Sequence, residues 1–193
     1  MFKPDKAYQL EFPVRAKDWS NKITNYSLFA AISELVPALH QQNNVRIFTF
    51  GGTTYPPGRF RLRCPGYMVE QFSELEDQVV SLEHRLVKVL APTVVPIQPS
   101  KRLSSKIVVI HPLVGDEQTR SEFEEQLDRA LFKLKVQAKP SVGPQKFTMI
   151  KGNRVDGFEV VLNNLSDEDS ITVQSVGVGG RGHMGCGIFE AQR

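Results

Sequence analysis

The sequence has few cysteines and no long apolar run. Its 193 residues include two cysteines, Cys64 and Cys186, with no Cys-x-x-C motif and no nearby histidine pair at metal-ligand spacing. This argues against a disulfide framework and a zinc site, and favours buried free thiols. No run of eighteen apolar residues could span a membrane, and the segment MFKPDKAYQLEF has a proline and charges where a secretory signal needs an apolar block. We therefore expect a cytoplasmic protein without a membrane partner.

Acidic residues are missing from two windows of an otherwise ordinary globular composition. Hydrophobic residues make up 40% of the chain and charged residues 23%, with a net charge of +3. Residues 35–69 contain four arginines, and residues 129–155 contain seven lysines and arginines, with no acid in either window. Such windows suit a polyanion, because each cation set against a phosphate releases condensed counterions. A solvated basic face explains either window equally well.

Hydrophobic periodicity predicts alternating strands and helices in the first half. Tyr8, Leu10 and Phe12 alternate as in a strand, and a helix is expected from Ser20 or Asn21 to about Asn43, kinked at Pro37. The segments VRIFTF and GRFRLRC follow as strands joined by GGTTYPP. A short helix is then expected in YMVEQFSELEDQ, and extended chain in VVSLEHRLVKVLAPTVVPI. The predicted order is β-α-β-β-α-β.

The second half repeats this order. It has a strand in SSKIVVIHP, a helix in DEQTRSEFEEQLDRALFKLKV, a hairpin across Gly152 and Asn153, a short helix capped by Ser166, and a last strand in CGIFEAQ. We therefore predict an α+β fold of two tandem ferredoxin-like (RRM-like) βαββαβ domains. The expected domains are residues 1–100 and 101–193, the second with a glycine-rich loop.

The stretch GVGGRGHMGCG contains the spacing G-x-G-x-x-G at Gly177, Gly179 and Gly182. A dinucleotide site needs a helix after the glycines and a βαβ unit of about thirty residues, but only eleven residues follow Gly182. A Walker loop is excluded as well, because no Gly-Lys-Ser/Thr follows. The glycines then form either a flexible turn or a backbone that approaches another backbone closely, with N–H groups directed at phosphates. Arg181 and His183 add cationic or proton-sharing groups to this loop.

The chain has four histidines: His40, His84, His111 and His183. We expect His84 to be a surface or turn residue and His111 to be structural. Tyr26, Ser33 and His40 are seven residues apart, which predicts one polar stripe on the first helix that ends in a histidine behind the Pro37 kink. On the residues alone, a surface histidine near a helix end is the more ordinary explanation of His40.

A resemblance to a known family favours a functional explanation of His40. Gly177-Val178-Gly179, five residues, then Gly185-Cys186-Gly187 resembles the G-h-G-x5-G-h-G loop near the C-terminus of CRISPR-associated endoribonucleases that cut precursor guide RNA, a branch of the RAMP superfamily. LVPALH, RLRCP and LSDEDSITVQSVGVGGRGHMGCGIF resemble blocks of its short type I variant, so that the likeness covers nearly the whole chain. It implies metal-independent cleavage of CRISPR repeat RNA, leaving a 2′,3′-cyclic phosphate and a 5′-hydroxyl. It implies no metal and no cofactor. The implied partners are the repeat RNA, the mature crRNA and other subunits of a type I CRISPR effector complex.

The resemblance also suggests roles for single residues. His40 becomes the expected general base, with Ser33 and Tyr26 on its stripe as further catalytic candidates, and His183 is expected as the acid or as an RNA contact. Arg59, Arg61 and Arg63 alternate, so they share one face of a strand and could form a phosphate track, or simply a solvent-facing side. The expected RNA-binding residues are Arg181, His183, Gly179, Gly180, Gly182, Lys151, Arg154, Arg59, Arg61 and Arg63.

Two other classes of function remain open. One is a non-catalytic RAMP-type RNA-binding subunit of a CRISPR effector complex, since some relatives hold guide RNA without cutting it. The RRM base-stacking consensus is not found, which argues against single-strand readout on a sheet face and leaves structured RNA. The other is a small-molecule enzyme on a ferredoxin-like scaffold, but clustered acids, thiolates or ligand spacings that would build its pocket are not found.

Overall fold

The computed structural model describes residues 3, 6–16, 24–49, 58–110 and 118–192. The chain forms two compact units, Met1–Ile97 with His183–Gly185, and Gln98–Gly182 with Cys186–Arg193. Each unit has an antiparallel sheet, helices and its own hydrophobic core. The predicted α+β fold of tandem ferredoxin-like units is confirmed. None of the helices in the described ranges is long and apolar enough to cross a membrane.

The first unit is built around a central strand with alternating burial. Its elements are β1 (Ala7–Arg15), α1 (Asn25–Leu35), β2 (Arg46–Thr49), β3 (Arg59–Pro65), α2 (Val69–Ser73), β4 (Val79–Leu82), β5 (Arg85–Val89) and β6 (Thr93–Pro96). The strand order is β2-β3-β1-β5-β4, and β6 also pairs with β1. Tyr8, Leu10, Phe12 and Val14 of β1 point into the core, which confirms the predicted period of two.

The first helix is shorter than its sequence pattern predicts. It begins after Thr24, whose hydroxyl accepts a hydrogen bond from the Ser27 amide, whereas the predicted start at Ser20 or Asn21 lies outside the described residues. The expected continuation past Pro37 is wrong: α1 ends at Leu35, and a separate 3₁₀ turn spans Pro37–Gln41. A proline ring disfavours helical geometry at the preceding residue, and Val36 accordingly has φ −126° and ψ 76°.

The extended segment at the end of the first unit contains a hairpin. Glu83 and His84 join β4 to β5 with φ angles of 48° and 64°, the two positive values of a type I′ turn. His84 is exposed in this turn, which confirms the expectation for that residue. The predicted loop 51–57 and His111 lie outside the described residues.

The second unit has the strand order of a ferredoxin-like fold. Its elements are β7 (Arg102–Val108), α3 (Arg120–Lys133), β8 (Lys139–Ile150), β9 (Asn153–Asn163), α4 (Asp167–Val176) and β10 (Glu190–Ala191), with the sheet order β10-β7-β9-β8. The expected β8–β9 hairpin forms, but its turn is at Lys151 and Gly152, one residue before the predicted Gly152 and Asn153. Ser166 caps α4, as expected, by accepting a hydrogen bond from the Asp169 amide. The closing strand is only two residues long.

Candidate active site

His40 lies on the 3₁₀ turn between α1 and β2. The turn is held on the first core by Leu39, which is fully buried, while the neighbouring His40 side chain is exposed. The His40 ring meets the Phe29 ring edge-on, with centroids 5.3 Å apart and an interplanar angle of 82°. An exposed imidazole that rests on a buried aromatic ring is both accessible and restricted in orientation.

His183 belongs to the first unit, although it follows most of the second unit in sequence. Its Nε2 lies 2.6 Å from the carbonyl oxygen of Gln42, across a separation of 141 residues. A carbonyl only accepts hydrogen bonds, so Nε2 carries the proton and donates it. The His183 ring also stacks on Phe29, with centroids 5.1 Å apart and an interplanar angle of 9°. Phe29 is therefore the surface on which both histidines rest.

The electrostatic surroundings keep His183 neutral at pH 7. Burial lowers the pKa of His183 below its usual value, and the nearby charges of Arg46 and His40 lower this pKa further. The hydrogen bond to Gln42 acts in the opposite direction. A neutral ring with a proton on Nε2 leaves Nδ1 as the acceptor nitrogen.

Arg46 supplies a buried positive charge in the same unit. The residue is 7% exposed, and its Nη1 donates to the carbonyls of Asn43 and Val45 at 2.7 and 2.9 Å. Its Nε has no hydrogen-bond partner within the described ranges. Burial lowers the pKa of Arg46 to about 10, so the side chain remains charged at neutral pH.

The glycine-rich stretch contributes the segment His183–Gly185 to the first unit. Met184 packs against the first core, and its carbonyl accepts a hydrogen bond of 3.2 Å from the Asn25 side-chain amide. Gly185 has φ +83°, and a methyl group on its Cα would overlap that amide. Glycine is required at this position because of both its backbone conformation and the contact with Asn25.

Within the second unit, the glycines approach the chain's own backbone. Gly179 has φ +82°, and a Cβ there would lie 2.5 Å from the Val109 carbonyl oxygen, which also accepts the Gly180 amide at 2.8 Å. The amide of Gly187 donates to the carbonyl of Ile107. The close approach expected of this loop is thus made, at Gly179, to residues just after β7. Arg181, with φ 62°, is exposed beside them.

The expected polar stripe of Tyr26, Ser33 and His40 does not form, because α1 ends before His40. Ser33 is 6% exposed and donates its hydroxyl to the Phe29 carbonyl at 2.7 Å, so its side chain belongs to the core. Tyr26 is half-buried on the first turn of α1. Phe29 was not among the sequence candidates, since an apolar helical residue indicates only core packing.

The three arginines of β3 share the sheet face opposite Phe60 and Leu62, but they differ in access. Arg59 is exposed and pairs with Glu11. Arg61 and Arg63 both lie over the Phe48 ring, with guanidinium carbons 4.2 and 5.1 Å from its centroid. Arg63 is only 4% exposed and donates to Gln9 at 3.2 Å. An accessible row of three arginines is therefore not present.

The β8–β9 hairpin tip combines cations with exposed apolar groups. Lys151 is exposed in the turn, and the Arg154 guanidinium lies 4.5 Å from the Phe147 ring centroid while it also pairs with Asp156 at 2.8 Å. Phe147 and Met149, which sequence reasoning missed, are large exposed apolar side chains on β8. Their alternation with polar residues was the available signal. In the described ranges, no three His, Cys, Asp or Glu side chains are grouped as metal ligands.

Comparisons with known proteins bear on the whole chain. The sequence model of the family described as Cas6 Crispr matches residues 9–193. The chain is similar to the CRISPR-associated endonuclease Cas6 of Myxococcus xanthus (strain DK1622), with 33% identity over 171 residues, which are 85% of this chain and 73% of that protein.

Two solved structures resemble the fold. A CRISPR associated protein Cas6 superposes with a TM-score of 0.69 at 12% identity, covering 97% of this chain and 99% of the other. Thermus thermophilus Cse3, bound to an RNA representing a pre-cleavage complex, superposes with a TM-score of 0.56 at 15% identity, covering 97% and 100%. At these identities the two structures bear on the fold alone.

Proposed function

The chain belongs to the Cas6 family of CRISPR-associated endonucleases, and we propose that it cuts CRISPR repeat RNA in the precursor transcript without a metal ion. The products are mature guide RNAs with 2′,3′-cyclic phosphate and 5′-hydroxyl ends. The observation that carries the proposal is the exposed His40 imidazole held on Phe29 beside a second histidine, His183. Imidazole is the side chain best suited to proton transfer near neutral pH.

The reaction requires one proton to be removed and one to be added. His40 takes the proton of the 2′-hydroxyl, whose oxygen then attacks the adjacent phosphorus to close the cyclic phosphate. The bond from phosphorus to the 5′-oxygen breaks, and that oxygen leaves with a proton from a general acid. Positive charge stabilises the phosphorane oxygens. The exposed Arg181 of the glycine-rich loop is assigned to contact with the RNA.

RNA binding is assigned to exposed cations. Lys151 and Arg154 lie at the tip and start of the β8–β9 hairpin, where they can contact the phosphates of a repeat stem. Arg59 and Arg61 are the more accessible residues of the β3 arginines. Thermus thermophilus Cse3, whose fold is similar, is bound to an RNA representing a pre-cleavage complex, which supports an RNA partner here. Delivery of the product to a type I CRISPR effector complex is part of the same proposal.

The test is incubation of the protein with the repeat transcript in chelator, followed by end-group analysis. We expect cleavage with cyclic phosphate ends, and a loss of about 10²-fold or more in His40→Ala, because a general base contributes roughly 10²–10⁴-fold. His84→Ala is the matched control, since His84 is also an exposed histidine in a turn of the first unit. The proposal is contradicted if cleavage requires added divalent metal, or if His40→Ala cuts the RNA at the rate of the parent protein. Binding without cleavage by the parent protein indicates an RNA-binding subunit instead.

A further inference from the structure

We propose that His183 is a positioning residue for His40 and does not itself transfer a proton. It would act in two ways. It holds the end of the 3₁₀ turn through its hydrogen bond to Gln42, and it covers one face of the Phe29 ring, against which the His40 ring rests. This inference rests on the proposed function, because the reaction that His40 serves is RNA cleavage. His183 would then have a task other than that of the acid.

The hydrogen bond is placed where it controls the turn. Gln42 is the residue that ends the 3₁₀ turn, and its amide donates to the Leu39 carbonyl at 3.2 Å. Its carbonyl oxygen accepts the Nε2 proton of His183 at 2.6 Å. The two bonds restrain Gln42, two residues after His40, through the peptide groups on both of its sides. A shift at Gln42 would therefore be passed to the His40 backbone.

Phe29 provides the second link between the histidines. Its ring is stacked face to face with His183 and edge-on with His40. Removal of the His183 ring would expose one face of Phe29 and free this aromatic ring to change its rotamer. The edge against which His40 rests would then move.

His183 itself is restrained by its neighbours along the chain. The Met184 carbonyl accepts a hydrogen bond from Asn25, and Gly185 lies against the same amide with a conformation that favours glycine. This short segment therefore has its own contacts with α1, so that the imidazole has a fixed support. A reactive group must be held within a fraction of an ångström of its productive geometry. This is done by neighbouring side chains that are themselves fixed by packing and hydrogen bonds.

The charges around His183 agree with this role. Burial lowers the pKa of His183, and Arg46 and His40 lower it further, so the ring is neutral at pH 7 and is not the imidazolium that a general acid would supply. Its Nε2 proton is already donated to Gln42. The neutral ring also adds no positive charge next to His40.

The deciding experiment compares His183→Gln with His183→Ala. The glutamine amide nitrogen can take the place of Nε2 and donate to the Gln42 carbonyl, but it does not titrate near neutral pH. Single-turnover cleavage with saturating repeat RNA is measured across pH. We expect His183→Ala to be slower by about 10- to 100-fold, because small displacements of reacting groups have costs of this size. His183→Gln should recover most of the rate, and both variants should keep the parental pH profile and RNA affinity.

The outcomes distinguish the roles of His183 without ambiguity. If His183→Gln is as slow as His183→Ala and a limb of the pH profile disappears, His183 transfers a proton and the inference is wrong. If His183→Ala cuts at the parental rate, the contact with Gln42 has no positioning effect. Thermal unfolding of both variants separates a loss of fold from a loss of positioning.

Nuclear magnetic resonance gives a readout that does not depend on cleavage. The ring nitrogens of His183 should show a neutral ring protonated at Nε2, and the His40 resonances should move in His183→Ala but much less in His183→Gln. If the parent protein cuts no RNA and these shifts are still observed, the proposed function fails and the positioning contact stands. If the His40 resonances are unchanged in His183→Ala, the positioning contact fails even when the parent protein is active.

Discussion

Replacement of Gly185 by alanine is expected to weaken the attachment of the segment His183–Gly185 to Asn25 of α1. An alanine at φ +83° costs roughly 1–2 kcal/mol in backbone conformation. The new methyl group would also displace the Asn25 side chain, whose hydrogen bond to the Met184 carbonyl is 3.2 Å long. Loss of that bond costs about 0.5–1.5 kcal/mol. The free energy of unfolding should therefore fall by about 1.5–3.5 kcal/mol.

Differential scanning calorimetry can measure this loss. For a chain of this length, 1 kcal/mol corresponds to roughly 2–4 °C in Tm, so the transition should move down by roughly 3–14 °C. The Asn25→Ala background separates the two terms, because the hydrogen bond is already absent there. In that background Gly185→Ala should cost only the backbone term, which gives a coupling of about 0.5–1.5 kcal/mol between the two positions.

Gly152→Ala is the matched control for the backbone term. Gly152 has a similar φ of +77°, but nothing lies within 4 Å of a Cβ built there. Its substitution should cost about 1–2 kcal/mol in the second unit, without a steric component. If Gly185→Ala costs no more than Gly152→Ala, and costs the same with or without Asn25, then the contact between Asn25 and Met184 does not hold the segment and the reasoning is refuted.

Two further predictions concern charge. Lys151→Ala and Arg154→Ala should each weaken repeat RNA binding and flatten the slope of log affinity against log salt by about one, while Lys88→Ala, paired with Asp77 in the first unit, should leave that slope unchanged in a salt titration. The lowered pKa of His183 means that the unfolded chain binds a proton more readily than the folded chain. The contribution of this group to stability is therefore fully present above the usual value of 6.5, and it is lost as pH falls from there through the lower pKa of the folded state. Denaturant titrations at pH 7.5 and 5.5 should show a smaller loss for His183→Gln than for the parent, and an equal loss would contradict the shift.

Local patterns were enough to predict most of the secondary structure. The alternation of Tyr8, Leu10 and Phe12 identified β1, and Gly152 marked the β8–β9 hairpin because a type I′ turn needs positive φ angles. The hairpin at Glu83 and His84 was missed for the same physical reason. The turn has positive φ angles at a glutamate and a histidine, where glycine or asparagine is usual. The sequence therefore carries no signal of a turn there.

The site was less accessible to sequence reasoning. A helix extended past Pro37 placed His40 on a stripe with Ser33, whereas the restriction that proline imposes on Val36 separates the two residues. The contact between His183 and Gln42 joins positions 141 residues apart, which no local pattern specifies. The glycines after α4 suggested an external ligand, but Gly179 is tightly packed against the Val109 carbonyl of its own unit.

The assignment of His183–Gly185 to the first unit has a consequence for protein synthesis. On the ribosome, residues 24–97 emerge well before His183, so α1 and the 3₁₀ turn can fold while the Phe29 face still lacks its second ring. Chains that stop early, or are degraded from the C-terminal side, carry His40 without its partner. The paired histidines are thus found only in molecules whose translation has reached His183, which links assembly of the site to synthesis of most of the second unit.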